Sequence, residues 1–112
     1  MIYRAVVERD REKLEILLRS PDQQDINDAL LSAAYYDSDW RWMQEKCLTL
    51  SRHPDRNVRW TAATCLGHLA RILRELDLEP VLQRLTELQA DPLVKAGADD
   101  ALDDIRFFLN FQ

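Results

Sequence analysis

The chain contains 112 residues, of which 46% are hydrophobic and 31% are charged, and it has a formal net charge of −5. This length fits a single domain over residues 1–112 and leaves no room for a second independent core. The apolar share is too high for a disordered chain, and no apolar run near the start resembles a signal peptide or a membrane span. We therefore expect one folded, cytoplasmic domain.

The acidic charge is concentrated in the last third of the chain. Residues 75–112 hold three basic and nine acidic groups, whereas the charges of residues 1–74 nearly balance. Nucleic acids and anionic membranes attract basic surfaces, so this distribution disfavours both as partners. A basic protein is the partner that the charge distribution favours.

Apolar residues recur with the helical period along almost the whole chain, and only two glycines and four prolines interrupt it. In chain order, the six predicted helices cover residues 5–19, 24–36, 39–52, 56–74, 79–90 and 92–110. Short links rich in Asp, Ser and Pro separate them, and short links make neighbouring helices pack antiparallel. The sequence therefore predicts an all-α fold, an α-solenoid of about three antiparallel helical hairpins.

The first predicted hairpin, residues 5–36, shares no motif with the rest of the chain. The hairpins 39–74 and 79–110 instead form an internal repeat. The pattern Asp55-x-x-Val58-Arg59-x-x-Ala62-x-x-x-Leu66 returns 36 residues later as Asp91-x-x-Val94-Lys95-x-x-Ala98-x-x-x-Leu102. A two-helix unit of this period is typical of solenoids, in which each hairpin covers its neighbour and the ends are capped. We expect residues 5–36 to be a capping hairpin.

The repeated residues resemble a known family. His53-Pro54-Asp55, followed by Val58-Arg59 and Ala62-Ala63, is similar to the turn and second helix of a HEAT repeat. The resemblance implies that an Asp and a basic residue in each unit interact between successive repeats. This structural ladder would consist of Asp55, Arg59, Asp91 and Lys95.

The sequence offers little for catalysis. Cys47 and Cys65 lie far apart and outside any metal-binding spacing, so they are predicted to be buried thiols. His53 lies at a turn and His68 on a helix, and neither belongs to a recognisable catalytic constellation. Phosphate loops and zinc-ligand spacings are missing from the pattern. We predict no enzymatic activity, no cofactor and no metal site.

The strongest candidate for a binding site is one flank of the two repeated second helices. Helical geometry places aromatic rings among carboxylates on the last helix, and the equivalent flank of the preceding repeat should lie beside it. Trp60 is the leading anchor, because Trp, Tyr and Arg most often dominate protein interfaces. The predicted partner-binding residues are Trp60, Thr64, Arg71, Asp100, Asp103, Asp104, Phe107 and Phe111.

Two other interpretations of these residues stay open at the level of sequence. Trp60 and Phe107 could pack under a neighbouring loop or terminus, and the carboxylates could form an ordinary solvated helix face. Within the last helix, Asp103 is expected to pair with Arg106, whereas Asp100 and Asp104 have no partner at helical spacing.

Short acidic HEAT-like chains of this build resemble bacterial immunity proteins, including those of contact-dependent growth inhibition (CDI) systems. The resemblance implies a cytoplasmic monomer that binds a cognate toxin domain 1:1 and neutralises it. An acidic inhibitor suits a nuclease toxin, with an RNase as the more specific expectation, because nucleases carry basic surfaces that bind phosphates. The alternative is a HEAT-like scaffold or maturation subunit of another protein complex. An enzyme such as a HEAT-fold DNA glycosylase fits less well, since DNA binding calls for a basic groove.

Overall fold

The computed structural model describes residues 6–110, and these form six α-helices and no strand. This confirms the all-α class and the six predicted helices. The helices are α1 (Arg11–Leu18), α2 (Gln23–Tyr36), α3 (Trp40–Leu50), α4 (Arg56–Ile72), α5 (Leu78–Leu88) and α6 (Lys95–Phe108). Asp10, Asp22, Asp39 and Asp55 each cap the helix that follows, because their side chains accept hydrogen bonds from backbone N–H groups of the first turn.

Two predicted helix starts were wrong. The first helix begins at Arg11 rather than at residue 5, because residues 6–10 are held outside the helix by α2: the Ser32 hydroxyl donates to the Val7 carbonyl at 2.7 Å. The last helix begins at Lys95 rather than at residue 92. The Asp91 carboxylate accepts a hydrogen bond from the Leu93 N–H at 3.0 Å and holds residues 92–94 in a turn.

The helices form three hairpins in two layers. Each first helix packs against the second helix of its own hairpin, giving the pairs α1 with α2, α3 with α4, and α5 with α6. The second helices α2, α4 and α6 pack side by side, with α4 in the middle. Stacked hairpins of this kind are the arrangement that the internal repeat predicted. Within residues 6–110, every helix falls short of what crossing a membrane requires.

The repeated positions fill the core at matching places. Val58 and Val94 are fully buried, as are Ala62 and Ala98, and Leu66 with Leu102 forms the next pair. The repeat breaks down at the end of α4, where Ile72 is 56% exposed because it lies at the last turn of the helix. Cys47 and Cys65 are free, buried thiols, as the sequence predicted. The Cys65 thiol and burial raise the pKa of Cys47 well above its ordinary value.

The second helices approach one another through small residues. A Cβ atom added at Gly67 would lie 2.9 Å from Cα of Ala101, which is closer than real Cβ contacts allow. A Cβ atom at Gly97 would lie 3.2 Å from the indole ring of Trp60. One glycine on each helix thus permits α4 and α6 to pack closely, and Gly67 meets backbone while Gly97 meets a side chain.

The first helices are instead bridged by long polar side chains. Trp42 on α3 donates through Nε1 to Glu15 on α1 at 2.6 Å. Arg84 on α5 donates to the hydroxyl and the carbonyl of Ser51, both at 2.9 Å, and thereby satisfies the C-terminus of α3. Because long side chains span this layer and small residues join the other, the stack is tighter on the side of the second helices.

Part of the predicted ladder is present. Arg59 donates to the carbonyls of His53 and Pro54, and its Nε atom lies 3.2 Å from Oδ2 of Asp91 in the next hairpin. The other two predicted members do something else: Asp55 caps α4, and Lys95 pairs with Asp99 within α6 at 2.6 Å. The structure therefore shows one inter-repeat contact of the predicted ladder, between Arg59 and Asp91, whereas the Lys95 side chain finds a carboxylate one turn away on its own helix.

Replacing Gly67 by Ala should destabilise the fold. The added methyl group would force the backbones of α4 and α6 apart, at a cost of about 1–3 kcal/mol that exceeds the gain in helix propensity of about 1 kcal/mol. Gly97→Ala is the matched control, since the half-exposed Trp60 ring can shift by a few tenths of an ångström. Urea unfolding of both variants measures the difference. A Gly67→Ala protein as stable as the parent chain would contradict the packing described above.

Candidate protein-binding surface

The predicted binding residues that the structure describes lie along the seam between α4 and α6. We call them the α4–α6 strip: Trp60, Thr64, Arg71, Asp100, Asp103, Asp104 and Phe107. Phe111 lies outside the described residues. Contacts at three levels join the two helices here, because Trp60 covers Gly97, Gly67 meets Ala101, and Arg71 meets Asp104.

Trp60 has both a structural and an exposed side. Its ring packs on Gly97, yet 39% of the residue remains exposed. Together with Arg56, Asn57 and Leu93 it lines a shallow depression of about 310 Å³ at the start of α4. Thr64, one turn further along α4, is exposed and donates its hydroxyl hydrogen to the Trp60 carbonyl at 2.9 Å. Trp60 is therefore neither buried under a terminus nor fully free.

Arg71 and Asp104 form the polar centre of the strip. Nη1 of Arg71 lies 3.1 Å from Oδ2 of Asp104, so an ion pair links α4 to α6. Asp104 has no ion-pair partner at helical spacing on α6, as expected, and its partner comes instead from the neighbouring hairpin. The side chains of Arg71 and Asp104 are 43% and 30% exposed, so the pair lies at the surface. Ion pairs at the surface contribute about 0–1 kcal/mol to the free energy of unfolding.

His68 contacts Arg71 from the buried side of the strip. Nη2 of Arg71 lies 2.9 Å from Nδ1 of His68, and since a guanidinium can only donate, Nδ1 accepts and the imidazole proton is on Nε2. Burial and the charge of Arg71 lower the pKa of His68, although the Ala34 carbonyl and Asp104 oppose the shift. Nε2 itself is buried near that carbonyl without a full hydrogen bond. The neutral imidazole is thus the form that fits this site.

The outer residues of the strip are open to a partner. Asp100 is exposed and forms no ion pair within residues 6–110, and Asp103 is exposed with only a 3.6 Å contact to Arg106. Phe107 is 79% exposed, the most exposed large hydrophobic residue of the described chain, and only the edge of the Phe108 ring contacts it. The strip therefore combines an unpaired carboxylate with an exposed aromatic ring.

One residue beside the strip was missed by the sequence interpretation. Tyr35 on α2 is 60% exposed, and its ring lies 5.1 Å from the imidazole of His68. The helical period of α2 could have placed Tyr35 outward, but only the structure brings it next to α4. The described residues contain no group of three or more His, Cys, Asp or Glu that could hold a metal ion.

Comparison with known structures gives a similarity that covers nearly the whole chain. The chain is similar to a protein chain in the crystal structure of a CDI complex from Cupriavidus taiwanensis LMG 19424. The two are 34% identical, with a TM-score of 0.87, and the similarity covers 96% of this chain and 97% of that chain. Neither a protein-family model nor a curated protein matches the chain, so the resemblance to HEAT repeats gains no support from a family model.

Acidification should weaken the fold through His68. Because the folded pKa of His68 is lowered from its ordinary value of 6.5, the unfolded chain binds the proton more readily. The stabilising contribution is complete above about pH 6.5 and is lost as the pH falls towards the folded pKa. Urea unfolding at pH 7.5 and 5.5 should show this decrease. His68→Asn, which retains an acceptor near Nδ1, should remove it; an equal decrease in that variant would mean that another group titrates.

Proposed function

The chain belongs to the same family as a component of the Cupriavidus taiwanensis CDI complex, and we propose that it is an immunity protein that binds and neutralises a CDI toxin domain. The observation that carries the proposal is this 34% identity over 96% of the chain. A match of that length covers all three hairpins rather than one motif.

The inhibitor half of a toxin–inhibitor pair is favoured over the toxin half by how the histidines are used. Nδ1 of His53 accepts the Asp55 N–H at 3.0 Å and so belongs to the turn before α4. His68 is buried and supports Arg71. General acid–base chemistry needs a titratable group within reach of a substrate, and both imidazoles have structural tasks instead. We propose that the protein is not an enzyme.

The charge of the surface supports a nuclease as the toxin. Residues 75–112 hold three basic and nine acidic groups, and Asp100 and Asp103 are exposed on α6. A nuclease domain carries basic groups where it binds phosphates, and an acidic inhibitor accelerates association with such a surface and competes with nucleic acid. An RNase is the more specific form of the proposal. The protein would act in the cytoplasm as a monomer bound 1:1 to the toxin.

Charge reversal on the strip should abolish protection. We expect Asp100→Lys/Asp103→Lys to weaken binding to a candidate CDI toxin domain from the source organism of this chain at least about 10-fold, because like charges at an interface repel. Cell survival after induction of that toxin domain, with a Kd measured by calorimetry, checks this. Asp104 is left unchanged, since its reversal would also break the ion pair with Arg71.

Glu45→Lys/Glu79→Lys is the matched control. It changes the net charge equally, but both residues are exposed on the first helices α3 and α5. Thermal unfolding verifies that both double variants are folded. If the parent chain does not protect cells, the immunity proposal is wrong; if both double variants protect as well as the parent chain, only the surface assignment is wrong.

A further inference from the structure

We propose that the toxin-docking surface extends beyond the α4–α6 strip to α2, where Tyr35 is an additional anchor, so that the toxin contacts all three second helices. This inference rests on the proposed immunity function and deepens it. It follows from a line of contacts that runs across the second helices, from Tyr35 through His68 and Arg71 to Asp104.

Successive side-chain contacts connect Tyr35 with the strip. The Tyr35 ring lies 5.1 Å from the His68 ring at an angle of 56°. His68 accepts a hydrogen bond from Arg71 at 2.9 Å, and Arg71 reaches Asp104 at 3.1 Å. Because each member touches the next, a partner that contacts Arg71 and Asp104 meets Tyr35 at the edge of the same surface.

Exposed apolar groups flank this polar line. Tyr35 is 60% exposed, and Leu31, one helical turn earlier on the same side of α2, is 37% exposed. Phe107 is 79% exposed on the far side, on α6. Rigid aromatic side chains around a central polar contact are typical of interface anchors, because they bury a large area and lose little conformational entropy.

The centre of the surface is ordered before any partner binds. His68 is only 9% exposed, and it holds Arg71 in the position from which the guanidinium reaches Asp104. Side chains that are fixed in the free protein lose less freedom on association, so more of the contact energy appears as affinity. Arg71 is therefore a contact residue that the free protein already holds in place.

Charge identifies the occupant as a basic protein rather than a second copy of this chain. Asp100 and Asp103 are exposed beside Phe107, and Asp100 forms no ion pair among the described residues. In a symmetric dimer through this face, both subunits would bring Asp100 and Asp103 to the interface, and like charges at an interface weaken affinity. A basic toxin domain meets the same carboxylates favourably.

The neighbouring tyrosine provides a matched control. Tyr36 is 51% exposed, similar to Tyr35, but it lies on another side of α2 and its hydroxyl donates to the Val6 carbonyl at 3.3 Å. It faces the segment before α1 rather than α4. Truncation of Tyr36 removes an equal side chain from the same helix without touching the proposed surface.

The test measures the binding of single variants to the same candidate CDI toxin domain. We expect Tyr35→Ala to raise Kd at least about 10-fold and Tyr36→Ala to change it less than about 3-fold. Tyr35→Phe should bind like the parent chain, because the ring is the proposed contact. Equal affinities of Tyr35→Ala and the parent chain would overturn the extension to α2.

A second measurement uses the parent chain and so does not depend on whether a substituted chain folds. Hydroxyl-radical footprinting of the parent chain should show Tyr35 protected in the complex and Tyr36 unchanged; the reverse pattern would overturn the inference. Sedimentation of the free chain should show a monomer, and a dimer that protects Tyr35 would assign the face to a second copy. If the parent chain does not bind the toxin domain at all, the immunity proposal itself fails, which distinguishes the two failures.

Discussion

The close approach of α4 and α6 at Gly67 is the constraint on which the rest of the structure depends. Gly67 has no side chain, and a Cβ atom added there would lie 2.9 Å from Cα of Ala101. This contact fixes the register of the two helices, and the register in turn places Trp60 over Gly97 and brings Arg71 within 3.1 Å of Asp104. Interiors pack tightly enough that a single methyl group matters, so a surface property here follows from a buried backbone contact.

The two layers of helices are joined by different kinds of residue, and this difference explains why one face is continuous. Trp42 and Arg84 span the first helices with long polar side chains, whereas glycine and alanine bring the second helices together. On the second layer the helices touch directly, and their outward side chains are left to form the line from Tyr35 to Asp104.

Fewer acidic residues of the strip are without a cationic contact than its composition suggests. Its acidic residues are an obvious feature of the sequence, yet Asp104 is paired with Arg71 and Asp103 has a contact to Arg106. The exposed negative charge of the strip therefore lies at Asp100 and Asp103, on the same helix as the exposed Phe107 ring. Unpaired charges at an interface steer association and select partners more than they add affinity, and this is the property that the proposed recognition of a basic toxin domain requires.

The sequence by itself determined the helical class, the six elements and the buried stripe of the repeat, because periodicity, Asp caps and turn residues act within a few residues along the chain. It also placed Trp60 and Phe107 outward. Only the tertiary structure decided that Asp104 pairs with Arg71, that Lys95 turns to Asp99, and that Tyr35 adjoins the strip. These contacts join positions that are distant in the sequence, or select among competing neighbours, and they depend on the register that Gly67 permits between packed helices.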